Sequence, residues 1–398
     1  MIVDRLDSRS LDAAVERSAR VRWDGGERRI QITVPAALAG PEDDASPWLA
    51  LTLLAAMRRH EELEVDGEVS ARLLARVEAL QTLYHGWDLG LRRCEVSVGG
   101  SHSRTPPQRR AVASCFTRGV DSTYSATAER AWPGALELLL FVDGLEPKHT
   151  PADSARDVAR AQAAAELIGL PLAVCHTNLR ECVDGLLAWG DVHGAALAAI
   201  ALSLAGGVRH LVVPSSQSPA GVGPLGSSPM SDPLYSTETV EIEHDMLLGR
   251  TQKALWIARE RPELLEHLEV CFLVADGNCG RCGKCLHTMA TLEAAGALQR
   301  ASAFPGVVDV GRVSRLRHDL FEGLMDWMDV WRVLPEGPLR TAVARSLRRS
   351  AVPGPRDVLH ELRRRRSPLN RWSRSADQFA KHRYNTARSL QQKGRPYP

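Results

Sequence analysis

The chain has 398 residues, 44% hydrophobic and 25% charged, the composition of an ordinary soluble protein with length for two or three domains. Its opening, MIVDRLDSRS, carries acids and lacks an apolar core, so a secretory signal is not expected. The longest apolar run, Gly194 to Val208, is short for a membrane span, so a cytoplasmic location is expected. The net charge of +2 conceals an asymmetry: from Arg340 onward 16 Lys/Arg face three acids, which leaves the preceding 339 residues at about −11 by subtraction.

In chain order, RVRWDGGERRIQITVP (Arg20 to Pro35) predicts two strands around an Asp-Gly-Gly turn. PWLALTLLAAMRRHEEL and SARLLARVEALQTLYHGW place apolar residues at helical spacing, and RRCEVSVGG reads as a further strand. These segments predict an N-terminal α+β domain over residues 1–103, followed by the polar, proline-containing linker SHSRTPPQRR. From Ala111 strands and helices alternate. AVASCF, ALELLLFVDG, LPLAVCHT and RHLVVPSS are the expected strands, with helices near Ser122–Ala131, Ala152–Ile168 and His193–Ala205. That alternation predicts an α/β domain with a parallel sheet covered on both faces, and places ligands beyond the carboxyl ends of its strands. The residues to watch are therefore Thr117 to Ser122, Asp143, His176 to Arg180, and Ser215 with Ser216. The Pro/Ser/Gly-rich stretch from Pro214 to Glu238 is long enough to serve as a lid, the alternative being a floppy insertion. Beyond Ala290 the pattern is mostly helical.

CFTRGVDS, Cys115 to Ser122, joins an apolar strand to a helix, the setting in which backbone N–H groups converge on an anion. Gly119 offers backbone freedom, Ser122 a cap or a hydrogen bond to phosphate, and Asp121 a ligand for a metal ion. The Gly-Lys-Ser/Thr ending of a Walker loop is missing. Four of the eight cysteines, Cys271, Cys279, Cys282 and Cys285, follow the spacing C-x7-C-x2-C-x2-C in CFLVADGNCGRCGKC. Four thiolates so spaced fit a structural zinc ion, with an iron–sulfur cluster as the rival. Cys115 and Cys175 lie in apolar, strand-like runs and read as buried hydrophobes.

The segment FTRGVDS resembles the Ser-Gly-Gly-x-Asp-Ser loop of the PP-loop ATP pyrophosphatases, with Thr117 in place of Ser and Arg118 in place of the first Gly. Together with the later cysteine cluster it is similar to the 7-cyano-7-deazaguanine synthase family, over roughly Ala111 to Leu298. The resemblance implies an adenine-nucleotide alpha-hydrolase-like (HUP) domain over 111–298 with a zinc knuckle at 271–285; the residues 299–398, outside the resemblance, read as a helical, basic extension. It implies an ATP- and Mg2+-dependent enzyme that activates a carboxylate or amide as an adenylate, releases pyrophosphate, and lets ammonia or an amine displace AMP. The Leu-Arg pair that follows the cluster in that family is Leu286-His287 here, so a different acceptor is expected.

The expected catalytic residues are Asp121, Ser122, Arg118 and Lys253. Thr117, Gly119, Ser122 and Asp143 are expected to bind the nucleotide. Asn178, Arg180 and Ser215 are expected at the acceptor, and the four clustered cysteines on Zn2+. Arg118 is expected in an ordinary backbone conformation with its guanidinium on pyrophosphate; a position demanding positive φ would strain it instead. Arg250 could assist Lys253, and His193 reads as structural. No Ser-His-Asp arrangement is visible in the spacing. Two alternatives remain: a tRNA-modifying PP-loop enzyme, for which Cys115 and Cys182 are faint thiol candidates, and a non-catalytic relic that binds nucleotide or a partner. The tail interleaves Trp372, Phe379 and Tyr384 with arginines, which suits RNA, an anionic membrane, an acidic partner, or the protein's own acidic body. A homo-oligomer is a further open expectation.

Overall fold

In the computed structural model the described residues are 1–351, apart from 88, 109, 130–133, 146–149, 184–185, 219–221, 246–247, 272, 275 and 319–320. The basic tail from 352 therefore lies outside them. Three antiparallel strands open the chain: β1 (Ile2–Ser10), β2 (Ala14–Trp23) and β3 (Gly26–Pro35). The expected Asp-Gly turn joins β2 to β3, with Gly25 at φ +88, where a side chain is disfavoured. Strand β1 was not signalled by the residue pattern. Helix α1 (Ser46–Arg59) is buried from Ser46 through Met57, so it has no polar face. Strand β4 (Leu63–Ser70) leads into α2 (Ala71–Gly86), whose first turn is capped by Ser70 Oγ accepting from the Leu73 N–H at 3.0 Å. Strand β5 (Val96–His102) follows.

The alternating segment contains β6 (Ala111–Cys115), α3 (Val120–Thr127), β7 (Leu138–Asp143), α4 (Pro151–Ile168), β8 (Leu172–Thr177), α5 (Leu179–Val183), α6 (Trp189–Ser203) and β9 (Val208–Pro214). Strand β10 (Glu241–Asp245), which the sequence did not signal, completes it. A capping box between Thr150 and Asp153 starts α4, and Gly169 at φ +84 ends it. The long apolar run falls on α6, where Ala195–Ala196 and Ala198–Ser203 are buried. No helix among the described residues is long and apolar enough to cross a membrane.

All ten strands form one mostly parallel sheet in the order β10-β9-β6-β7-β8-β3-β2-β1-β4-β5. The expected boundary near 103–111 does not divide the chain. Strand β3 pairs antiparallel with β8 through Ile32 with Thr177 and Thr33 with His176, so the N-terminal strands extend the α/β sheet and share its core. One compact unit comprises Met1–Leu248 with His267–Asp276. The other takes Gly249–Glu266 and the described residues from Gly277, and is helical: α7 (Arg250–Glu260), α8 (Gly283–Ala294), α9 (Val310–Arg315), α10 (Phe321–Val333) and α11 (Pro338–Ala351).

Candidate functional site

From β6 the chain steps outward through β7 to β8, then returns to the other side of β6 for β9 and β10. The loops leaving β6 and β9 therefore diverge at the carboxyl edge of the sheet, and this reversal of strand order is where open parallel sheets hold their ligands. The Thr117–Gly119 turn leaves β6 at this point, and Ser215 leaves β9 beside it. Gly119 is the N-cap of α3, and no side chain caps the helix. The first-turn amides thus remain available to an anion. Ser122 Oγ accepts from the Thr117 N–H at 3.1 Å, donates to the Gly119 carbonyl at 3.1 Å, and lies 3.3 Å from Thr117 Oγ1, which folds the turn onto the helix start. Asp121, half-buried, stands in the first turn of α3.

Two expectations about this turn are corrected. Gly119 has φ −70, open to any residue, and the left-handed position is Arg118, at φ +61. The Arg118 guanidinium is also taken up by carboxylates. Its Nη1 pairs with Glu269 at 2.8 Å and its Nη2 with Asp157 of α4 at 3.2 Å, while the Glu269 N–H donates to the Arg118 carbonyl at 3.0 Å. The side chain is buried, and a guanidinium out of water requires such carboxylates. Arg160 extends the network, at 3.6 Å from Glu269 and 2.7 Å from Asp276.

Ser215 is corrected as well. It is wholly buried, and its Oγ lies 2.8 Å from His244 Nε2, whose Nδ1 lies 2.8 Å from Asp232 Oδ2. The structure thus assembles a Ser-His-Asp set from positions whose spacing gave no hint of it. The hydroxyl is sealed from solvent and also accepts from the Gln217 N–H at 2.9 Å. The set anchors the Pro214–Glu238 stretch: Ser227 Oγ donates to Asp232 at 2.6 Å, and the described residues Ser227, Ser228, Ser231, Tyr235, Ser236 and Thr237 are buried. At its centre Gly226 crosses Gly194 of α6 so closely that a Cβ on Gly194 would fall 2.2 Å from the Gly226 carbonyl oxygen. These residues are packed structure, neither lid nor floppy insertion.

At the ends of β7 and β8, Asp143 Oδ2 lies 3.0 Å from His176 Nδ1. The hydrogen bond to His176 holds the Asp143 carboxyl below its usual range, and Asp143 in turn raises the pKa of the half-exposed imidazole. Asn178, expected at the acceptor, is engaged within the sheet. Its Oδ1 accepts from the Gln31 N–H at 2.8 Å and its Nδ2 donates to the Arg29 carbonyl at 2.9 Å, which continues the β3–β8 seam. Arg180 donates to the Leu145 carbonyl at 3.1 Å and lies over the Trp189 ring at 4.5 Å, contacts that fix its guanidinium. Lys253 sits fully buried on α7 in the second unit, and Arg250 pairs there with Asp326 at 3.7 Å. His193 Nδ1 lies 3.3 Å from the Trp189 carbonyl within α6.

The four cysteines do come together. The sulfurs of Cys271, Cys279, Cys282 and Cys285 lie within 4.8 Å of one another, and Cys279 Sγ is 3.9 Å from Cys285 Sγ. Zinc–sulfur bonds of about 2.3 Å put tetrahedral sulfurs about 3.8 Å apart. The set is therefore compatible with one zinc ion, whereas the several irons of a cluster would spread the thiolates further. Backbone N–H groups of Arg281 and Cys282 donate to Cys279 Sγ at 3.4 and 3.3 Å, and that of Cys285 to Cys282 Sγ at 3.4 Å, which stabilises thiolates. Gly280 makes the turn at φ +64, where a Cβ would also strike Pro305 Cγ at 2.5 Å.

No family model matches the chain, and no curated protein or solved structure resembles it significantly. What it does must be argued from its own residues. Cys115 and Cys175 are buried, and burial pushes both thiols up to about 12. That removes Cys115 as a reactive thiol, while the side chain of Cys182 lies outside the described residues. His287, where the resembling family carries arginine, is buried in the second unit, with Nε2 3.3 Å from Thr251 Oγ1 and its ring edge-on to Trp327. The partners missed from sequence, Glu269, Asp157, His244 and Asp232, carry no local signature, because each is brought to its partner by a different element of the fold.

Proposed function

We propose that the chain is an ATP-dependent enzyme of the PP-loop kind, with a HUP-like sheet, that joins an amine or ammonia to a carboxylate or amide acceptor. The observation that carries this reading is the Thr117–Ser122 turn, which opens α3 without a side-chain cap at the reversal of strand order. ATP would lie with its phosphates on the first-turn amides and Ser122. An acceptor oxygen attacks the α-phosphorus, pyrophosphate leaves, and the amine then attacks the activated carbon as AMP departs with the electron pair of the broken C–O bond. Asp121 is the residue suited to hold Mg2+, which supplies charge neutralisation when bound. Zinc on the four cysteines leaves no open ligand position, so its part is structural.

A second reading, nucleotide binding without turnover, has one observation in its favour: the guanidinium of Arg118 is tied to carboxylates and lends no charge to a leaving group. Pyrophosphate release measured across a panel of carboxylates with ammonia present separates the two. Turnover lost in Asp121→Ala and in Ser122→Ala supports the enzyme. ATP binding without pyrophosphate release from any acceptor supports the second reading, and no ATP binding at all overturns both.

A further inference from the structure

The described residues of the second unit include two arginine-bearing helices, α9 and α11. α11 carries Arg340, Arg345, Arg348 and Arg349 and not one acid. Its Ala342, Val343 and Ser346 are buried, while Arg345, Arg348 and Arg349 are exposed. α9 packs against it and brings exposed Arg312 and Arg315, with Arg317 just beyond its end. Polar interactions lock the pair. Arg317 Nη2 donates to the Arg349 carbonyl at 3.1 Å, the His318 N–H donates to Ser350 Oγ at 2.9 Å, and Ser346 Oγ donates to the Leu316 carbonyl at 3.2 Å. Asp309, at the N-cap of α9, meets Arg312 at 3.6 Å. Six exposed arginines, five on the two helices and Arg317 just beyond α9, repel one another, and a polyanion relieves that repulsion.

We propose that this α9–α11 face binds RNA at unpaired segments. The exposed cations of this face are all arginine, whose planar fork pairs with phosphate and stacks on bases. A membrane fits less well, since Ala342 and Val343, on the apolar side of α11, are already buried and an interfacial helix must insert its apolar face.

The test is fluorescence anisotropy with the full chain and a labelled stem–loop RNA. The comparison probes are the blunt RNA duplex, single-stranded DNA of the loop sequence, and vesicles of anionic phospholipid. The stem–loop should bind best, with affinity falling as salt rises. Replacing Arg345, Arg348 and Arg349 together by alanine should weaken binding about tenfold or more. The same change should lower the log–log salt slope by about 2, near 0.7 for each phosphate no longer neutralised. Arg312→Gln with Arg315→Gln, which disturbs no buried group, should weaken binding in the same direction and guards against a folding defect in the triple variant. Unchanged affinity in both variants overturns the proposal, as does equal or tighter binding to the duplex, the DNA or the vesicles. None of these outcomes depends on ATP turnover.

Discussion

Replacing Arg118 by glycine installs the residue that the PP-loop pattern carries, yet the structure predicts a less stable protein. Two effects oppose each other. The left-handed conformation at φ +61 costs a non-glycine residue about 1–2 kcal/mol, and glycine recovers it. Part of that gain is cancelled by the greater freedom of glycine in the unfolded chain, about 0.4–1 kcal/mol. Against it stands the ion-pair network. Asp157 and Glu269 are 6% and 13% exposed, and stripping a buried pair of one partner costs about 3–5 kcal/mol. The net expectation is a loss of about 2–4 kcal/mol on combining these terms, measured by urea unfolding. Arg118→Ala isolates the backbone share: it loses the same ion pairs but keeps the strain, so it should fall below Arg118→Gly by about 1 kcal/mol. Adding Asp157→Asn and Glu269→Gln to Arg118→Gly removes the stranded charges and should restore part of the loss. Arg118→Gly at or above native stability would show that strain outweighs the network and refute the reasoning.

Cys285→Ser and Cys282→Ser should each abolish stoichiometric zinc retention and lower the melting temperature, read by metal analysis and calorimetry, because each removes one of four converging sulfurs. Cys115 and Cys175 should resist alkylation at pH 8 in the folded protein and react only on unfolding, as mass spectrometry would reveal. The Asp143–His176 pair should stabilise the fold most between the two unfolded-state pKa values. The raised histidine contributes below its unfolded pKa and loses that contribution as pH climbs through the folded one. The depressed aspartate contributes above its unfolded pKa and loses that contribution as pH falls through the folded one. An NMR titration should accordingly find the His176 pKa lower in Asp143→Asn than in the native chain.

Much of this protein was legible along the chain wherever the determinant is local. Asp24-Gly25 sets a hairpin because glycine tolerates positive φ, and the apolar runs of β6 to β9 are long enough to mark buried strands. The four cysteines declare a candidate metal site through their spacing, and the Thr117–Ser122 turn is placed by the strand and helix on either side of it. Everything resting on partners distant in sequence was decided by tertiary structure. The N-terminal strands join the main sheet through the β3–β8 seam, and Asn178, which looked like an acceptor ligand, is held there. Ser215 meets His244 and Asp232 only because β10 returns beside β9. Most telling is Arg118: its identity raised the question, but neither its left-handed backbone nor its capture by Asp157 and Glu269 could be read locally, since a buried charge is stabilised by whatever the fold brings to it.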